Sequence, residues 1–152
     1  MRPLGERVGS LHMVLASAEE IPAVASQLRV ISRTLYSTCP AYGARLVALV
    51  LGDPARKNAW LHDCKSMADR LNGVRQSLFD ALVSRNVKGT WTHVTEQRGM
   101  FSYTGIPPNA VKRLKEEYHI YMLSNGRISL AGLNSSNIDR FASALETILG
   151  TN

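Results

Sequence analysis

At 152 residues with 45% hydrophobic and 20% charged side chains, the chain is long enough for one compact domain with a real core. Its net charge of +6 comes from 18 Lys and Arg against 12 Asp and Glu, spread along the chain with no basic run. That pattern argues against a nucleic-acid partner and favours small anionic ligands. No stretch nears the about 18 apolar residues of a membrane helix, and MRPLGERVGS lacks the apolar region of a secretory signal. Cys39 and Cys64 have no CxxC spacing, which argues against a zinc or redox motif and fits free thiols in a reducing compartment.

Val8 to Leu15 reads as a short buried strand. Ser17-Ala18-Glu19-Glu20 starts a helix, and Ile21, Val24, Leu28, Ile31 and Leu35 repeat at steps of three and four along one face of it. Pro40 ends that run by disfavouring helix at Cys39, and Ala44 to Leu51 resumes a helical pattern. Asp53-Pro54 is a strong start signal, an N-cap acid before a proline at the first helical position. Trp60, Cys64, Met67, Leu71, Val74, Leu78 and Leu82 then keep helical steps, so a helix over about 53–85, roughly 45 Å long, is expected to bridge two lobes. Thr92–Val94 and Met100–Thr104 read as strands, and Pro107-Pro108-Asn109 opens a helix. Ile120–Leu123 and Ile128–Leu133 read as a hairpin joined by Ser124-Asn125-Gly126. Asn134–Asn137 cap a last helix with Ile138, Phe141 and Leu145 on its face. The strand at the start has no sheet partner in the helical stretch behind it, so either residues 1–50 pair with another chain or sequence is missing upstream, and the chain reads like the tail of something larger.

Arg127 stands at the mouth of an otherwise apolar strand in LSNGRISLAG. Two readings are open for it. The first is a strand-end arginine that reaches solvent along its own stem. The second is an anion receptor, since a guanidinium grips a carboxylate with two parallel hydrogen bonds. Taken singly, Arg7 reads as an exposed residue near the terminus, Arg33 as a cation favoured at a helix end, and Phe101 as core. His12, His62, His93 and His119 have no carboxylate or nucleophile spaced around them and read as structural, and Tyr36 and Ser37 read as packing and turn residues.

Five segments then resemble a known family: GERVGSL (5–11), SRTLYSTCPAYGARLV (32–47), KSMADRLNGVR (65–75), EQRGMFSYTG (96–105) and EEYHIYMLSNGRISLAGLNSSNID (116–139). In order and spacing they look like the C-terminal part of the aspartate aminotransferases, the pyridoxal-phosphate-dependent, fold-type I, class I transaminases. The resemblance implies an α/β fold class: a C-terminal remnant of the large cofactor-binding domain, residues 1–60, and the small α/β domain, residues 61–152, joined by the long helix. It also implies site residues. Arg7 resembles the arginine that pairs with the pyridoxal 5'-phosphate group, and Arg127 the one that holds the substrate α-carboxylate. Arg33 resembles the one that reaches into the neighbouring subunit of a homodimer and binds the side-chain carboxylate of a dicarboxylate substrate. Phe101 matches a pocket-lining aromatic. The implied activity is amino-group transfer between L-aspartate and 2-oxoglutarate, in a cytoplasmic or mitochondrial enzyme.

The chain departs from the family in places. Leu4 replaces an aromatic, Thr34 a proline and Thr38 an asparagine. The family's Schiff-base lysine, counted back from Arg7, falls just before Met1, and Lys57, Lys65, Lys88, Lys112 and Lys115 stand in other contexts. The expectation is a segment that is inactive alone, with no catalytic residue of its own. The competing expectation is a non-catalytic anion-binding or dimerisation module derived from the same fold.

Overall fold

A computed structural model describes residues 8–152. The chain divides into two compact units, one ending at His62 and one running from Asp63 to Asn152. In the first, Ser17 accepts a bond from the Glu19 amide and opens a 3₁₀ turn, Ala18–Glu20. Helix α1, Ile21–Tyr36, follows with Pro22 in its first turn, where a missing N–H costs nothing. Helix α2 spans Tyr42–Leu51. The apolar face expected on α1 forms, but Ile21, Leu28, Ile31 and Leu35 all stay exposed.

The strand expected at Val8–Leu15 is absent. Those residues run as irregular chain, and Val14 is 99% exposed. A strand needs a partner for its N–H and C=O groups, and the described residues offer this one none.

Helix α3, Pro54–Ser84, starts where Asp53-Pro54 places it: the Asp53 carboxylate accepts the Arg56 amide at 2.9 Å. Its second half supplies Val74, Leu78 and Leu82 to the core of the second unit. Helix α5, Pro108–Tyr118, adds Ala110, Val111 and Leu114. Helix α6, Ile138–Leu149, packs on α5 and adds Phe141, Ala142 and Leu145. Leu78, Leu114, Leu130 and Leu145 are wholly enclosed, each stabilising the fold by about 1.5–3 kcal/mol relative to an exposed side chain.

Two expected strands are otherwise. Thr92–Val94 lies in a one-turn helix, α4, Thr92–Glu96, which buries Val94 completely. Burial of that one side chain overrides the β preference of a threonine and a valine. Ile120–Leu123 is irregular, and the expected hairpin is replaced by a different pairing. Strand β1, Phe101–Tyr103, pairs antiparallel with β2, Arg127–Ser129, in the register Phe101↔Ser129, Ser102↔Ile128, Tyr103↔Arg127. After Ser129 the chain enters a 3₁₀ turn, Leu130–Gly132, so the strand is half the expected length.

The Ser-Asn-Gly turn forms, but Thr104 of the β1 segment anchors it. The Thr104 amide and hydroxyl both donate to the Gly126 carbonyl, at 3.0 and 2.7 Å. Gly126 has φ +83°, and a β-carbon there would stand 3.0 Å from the Ile106 carbonyl oxygen. Glycine alone accepts both conditions.

Candidate functional site

On the two-stranded ladder, Ser102 and Ile128 face the core, while Phe101, Tyr103, Arg127 and Ser129 face outward. Arg127 lies opposite Tyr103 and therefore diagonal to Phe101, a separation that long and aromatic side chains can span. They span it here. The guanidinium carbon of Arg127 stands 4.1 Å from the centroid of the Phe101 ring. A cation over an aromatic face at such a distance gains about 0.5–1 kcal/mol where solvent reaches it.

The contact holds the guanidinium over the Phe101 ring and leaves its planar fork of N–H donors available to a ligand. Among the described residues the Arg127 guanidinium has no ion pair and no hydrogen bond; its backbone is engaged, the amide donating to Asn125 Oδ1 at 3.1 Å and the carbonyl accepting the Leu123 amide at 3.3 Å. Phe101, Tyr121, Met122, Leu123, Arg127, Ile128 and Ser129 line a shallow recess open to solvent. An apolar wall beside a free, oriented fork is an arrangement that accepts a carboxylate on a small organic anion.

Arg33 is in the last turn of α1, in the first unit, exposed and with no side-chain partner among the described residues. Four residues later Ser37 has φ 59° and ψ −71°, and the Thr38 amide bonds the Tyr36 carbonyl at 2.6 Å. That is a γ-turn with positive φ, a rare geometry that costs about 1–3 kcal/mol. Arg7 lies outside the described residues.

One residue beside the site went unread in the sequence. Arg75 of α3 is 2% exposed. It donates to three backbone carbonyls: Val94 at 2.6 Å, Gly99 at 2.9 Å and Phe101 at 2.9 Å. Burial, and then the nearby Arg98 charge, pull its pKa below the ordinary arginine value. The signal was present: Leu71, Arg75, Leu78 and Leu82 form a stripe of steps four, three and four, so Arg75 occupies a core register position of the helix.

The described residues do not by themselves fit pyridoxal phosphate. Every lysine is exposed, on α3, on α5 or in the turn at Lys88, and the arginine expected at the phosphate lies beyond them. Among the described residues, no cluster of three or more His, Cys, Asp or Glu could hold a metal, and no helix is long and apolar enough to cross a membrane.

Known proteins match over nearly the whole chain. The cytoplasmic aspartate aminotransferase of Dictyostelium discoideum is 48% identical over 141 residues, which is 93% of this chain and 32% of the relative. Among solved structures, the mitochondrial aspartate aminotransferase of Trypanosoma brucei superposes with a TM-score of 0.89 at 39% identity, covering 95% of this chain and 38% of that one. The aromatic-amino-acid aminotransferase of Burkholderia pseudomallei, covalently bound to pyridoxal phosphate, gives 0.91 at 39% identity, covering 97% and 37%. The chain thus spans about a third of the length of the curated relatives it matches. The profile of the family described as "Aminotransferase class I and II" matches residues 4–145, so this chain, a partial α/β structure of the fold-type I kind, belongs to that family.

Proposed function

We propose that this chain is the substrate-carboxylate-binding segment of an aspartate aminotransferase, whose whole protein moves an amino group between L-aspartate and 2-oxoglutarate to give oxaloacetate and L-glutamate. Residues 1–60 would belong to its large cofactor domain and 61–152 to its small domain. Arg127 would hold the substrate α-carboxylate through two parallel bonds, with Phe101 carrying the guanidinium and walling the pocket. Arg33 would serve the neighbouring site of a homodimer and take the second carboxylate of a dicarboxylate. Arg7 would pair with the phosphate of pyridoxal 5'-phosphate, the carrier that supplies the electron sink when bound. No step is assigned to a lysine of this chain, since none of the five stands in the sequence context of the family's Schiff-base lysine.

The observation that carries this reading is the stacked, otherwise unengaged guanidinium of Arg127. A solvated strand-end arginine has no need of a fixed orientation; a carboxylate receptor does, because little freedom is then left to lose on binding. The relatives' names add the reaction class, and they include both cytoplasmic and mitochondrial enzymes. A cytoplasmic setting is the one proposed here, with a mitochondrial one as the alternative.

The test is a chimera in which this chain replaces the matching segment of the Dictyostelium enzyme. Transfer from aspartate to 2-oxoglutarate is expected in the chimera and no turnover in the isolated chain. A folded chimera that binds dicarboxylates but transfers nothing would favour the non-catalytic anion-binding module instead. Turnover by the isolated chain would refute the segment reading.

A further inference from the structure

Strand β1 is three residues long and has one strand neighbour. A two-stranded ladder of that size is marginal by itself, yet it carries the ring on which Arg127 rests. Its other edge is held by side chains. Arg75 donates to the Phe101 carbonyl and, with the same guanidinium, to Val94 and Gly99 of the segment leading into the strand. Gln97 completes the edge: its amide oxygen accepts the Ser102 hydroxyl and the Tyr103 amide, at 2.9 and 2.8 Å, and its amide nitrogen donates to the Tyr103 carbonyl at 2.9 Å.

Arg75 is expensive to keep where it is. A buried guanidinium forfeits hydration, and the groups it donates to here are carbonyl dipoles with no carboxylate among them. A leucine in that register would extend the stripe of Leu71, Leu78 and Leu82 at no such cost. What a leucine could not do is fix three carbonyls at once. The rigid fork of arginine can, since it projects several donors from one plane.

We infer that Arg75 is a positioning residue for the carboxylate receptor: it locks β1 so that the Phe101 ring stays beneath the Arg127 guanidinium. This inference rests on the reading of Arg127 as that receptor. Arg75 itself touches no ligand; it acts through Phe101.

The test uses the full 152-residue chain and nuclear magnetic resonance of the Arg127 side chain, assigned by its loss in Arg127→Lys. A guanidinium over a ring is shielded, so its Hε and Hδ signals are expected upfield, and Phe101→Leu should remove the displacement. Arg75→Met should remove most of it while Phe141 and the α6 amides keep their positions. Arg75→Lys, which has a single charged nitrogen for three carbonyls, should restore only part of it. Arg113→Met, which breaks a surface ion pair, should leave it intact. Full shielding in folded Arg75 variants, even ones of lower melting temperature, would overturn the inference and leave Arg75 a structural residue. Should neither Arg75 variant fold, Gln97→Leu decides, because it frees the same edge from a half-buried loop position: reduced shielding supports the clamp and unchanged shielding overturns it. The receptor reading fails separately. If shielding depends on Arg75 but Arg127→Lys in the chimera leaves dicarboxylate turnover unchanged, the clamp is real and its assigned purpose is wrong.

Discussion

Gly126 sits one residue before Arg127, and replacing it with alanine should be the most damaging single-methyl change in the second unit. Two costs add. At φ +83° an L-residue carries a backbone penalty of about 1–2 kcal/mol. The new β-carbon would also meet the Ile106 carbonyl oxygen at 3.0 Å, the Ile106 nitrogen at 3.3 Å and Thr104 Oγ1 at 3.3 Å. Ile106 is 3% exposed and cannot retreat freely. Yielding would therefore stretch the two bonds from Thr104 to the Gly126 carbonyl, each contributing about 0.5–1.5 kcal/mol net. The sum is about 2–5 kcal/mol. Gly105→Ala is the control, since Gly105 also has positive φ, +74°, with nothing within 4 Å of the new carbon. It should cost only the backbone penalty, about 1–2 kcal/mol. Urea unfolding followed by Trp91 fluorescence would give both values, with an unchanged slope confirming that stability alone moved. Equal losses for the two substitutions would refute the close approach of Gly126 to Ile106 and, with it, the anchoring of the turn by Thr104.

Further outcomes follow from the site and from α3. In the chimera, Arg127→Lys keeps the charge but loses both the fork and the stack; a loss of about 2.7 kcal/mol, near a hundredfold in kcat/KM, is expected. A change below about threefold would return Arg127 to the solvated strand end. Arg33→Ala should weaken aspartate and glutamate far more than neutral amino acids, because only dicarboxylates offer it a second anion; equal losses in both classes, read by steady-state kinetics, would remove that role. Asp53 has its pKa lowered, first by the bond from the Arg56 amide. The sign follows: the carboxylate supports α3 at pH values above the ordinary aspartate range near about 4, and that support fades as acid protonates it below that range. Asp53→Asn, a neutral cap of similar quality, should keep the far-ultraviolet helical signal at pH 7 and lose its decline on acidification; an unaltered acid decline would show that other groups cause it.

What the sequence disclosed was unequal along the chain. The long helix was legible because Asp53-Pro54 carries a start signal with a mechanism and the apolar steps persist from Trp60 to Leu82; Pro54–Ser84 is the result. The last helix was legible from its apolar steps, Ile138, Phe141 and Leu145, although the expected cap at Asn137 makes no side-chain bond to the helix. Short apolar stretches were not. Thr92–Val94 and Ile120–Leu123 are too brief for a period of two to be told from a period of 3.6, and packing of Val94 and pairing of β2 with β1 decided them. Phe101 and Arg127 were singled out by motif resemblance, and nothing local in the sequence states that one stacks on the other, since their contact depends on a register between strands about 25 residues apart. Arg75 carries a weaker signal, since a charged residue ordinarily faces solvent and its partners here are backbone atoms that leave no trace in the sequence.

The recess beside Arg127 is built from two unlike materials. Its floor, with Phe101 and Arg127, belongs to a hydrogen-bonded ladder, whereas Tyr121, Met122 and Leu123 come from irregular chain whose side chains support no strand. Exchanging Tyr121 or Leu123, both exposed, alters the shape and polarity of the cavity without disturbing a ladder bond, whereas Met122 also packs against the core and any change that moves the ladder displaces the charge itself. Selection can thus remodel one wall at small structural cost and must leave the other alone. Such a division lets a lineage diversify what it accepts while the anchor for the common acidic group stays in place.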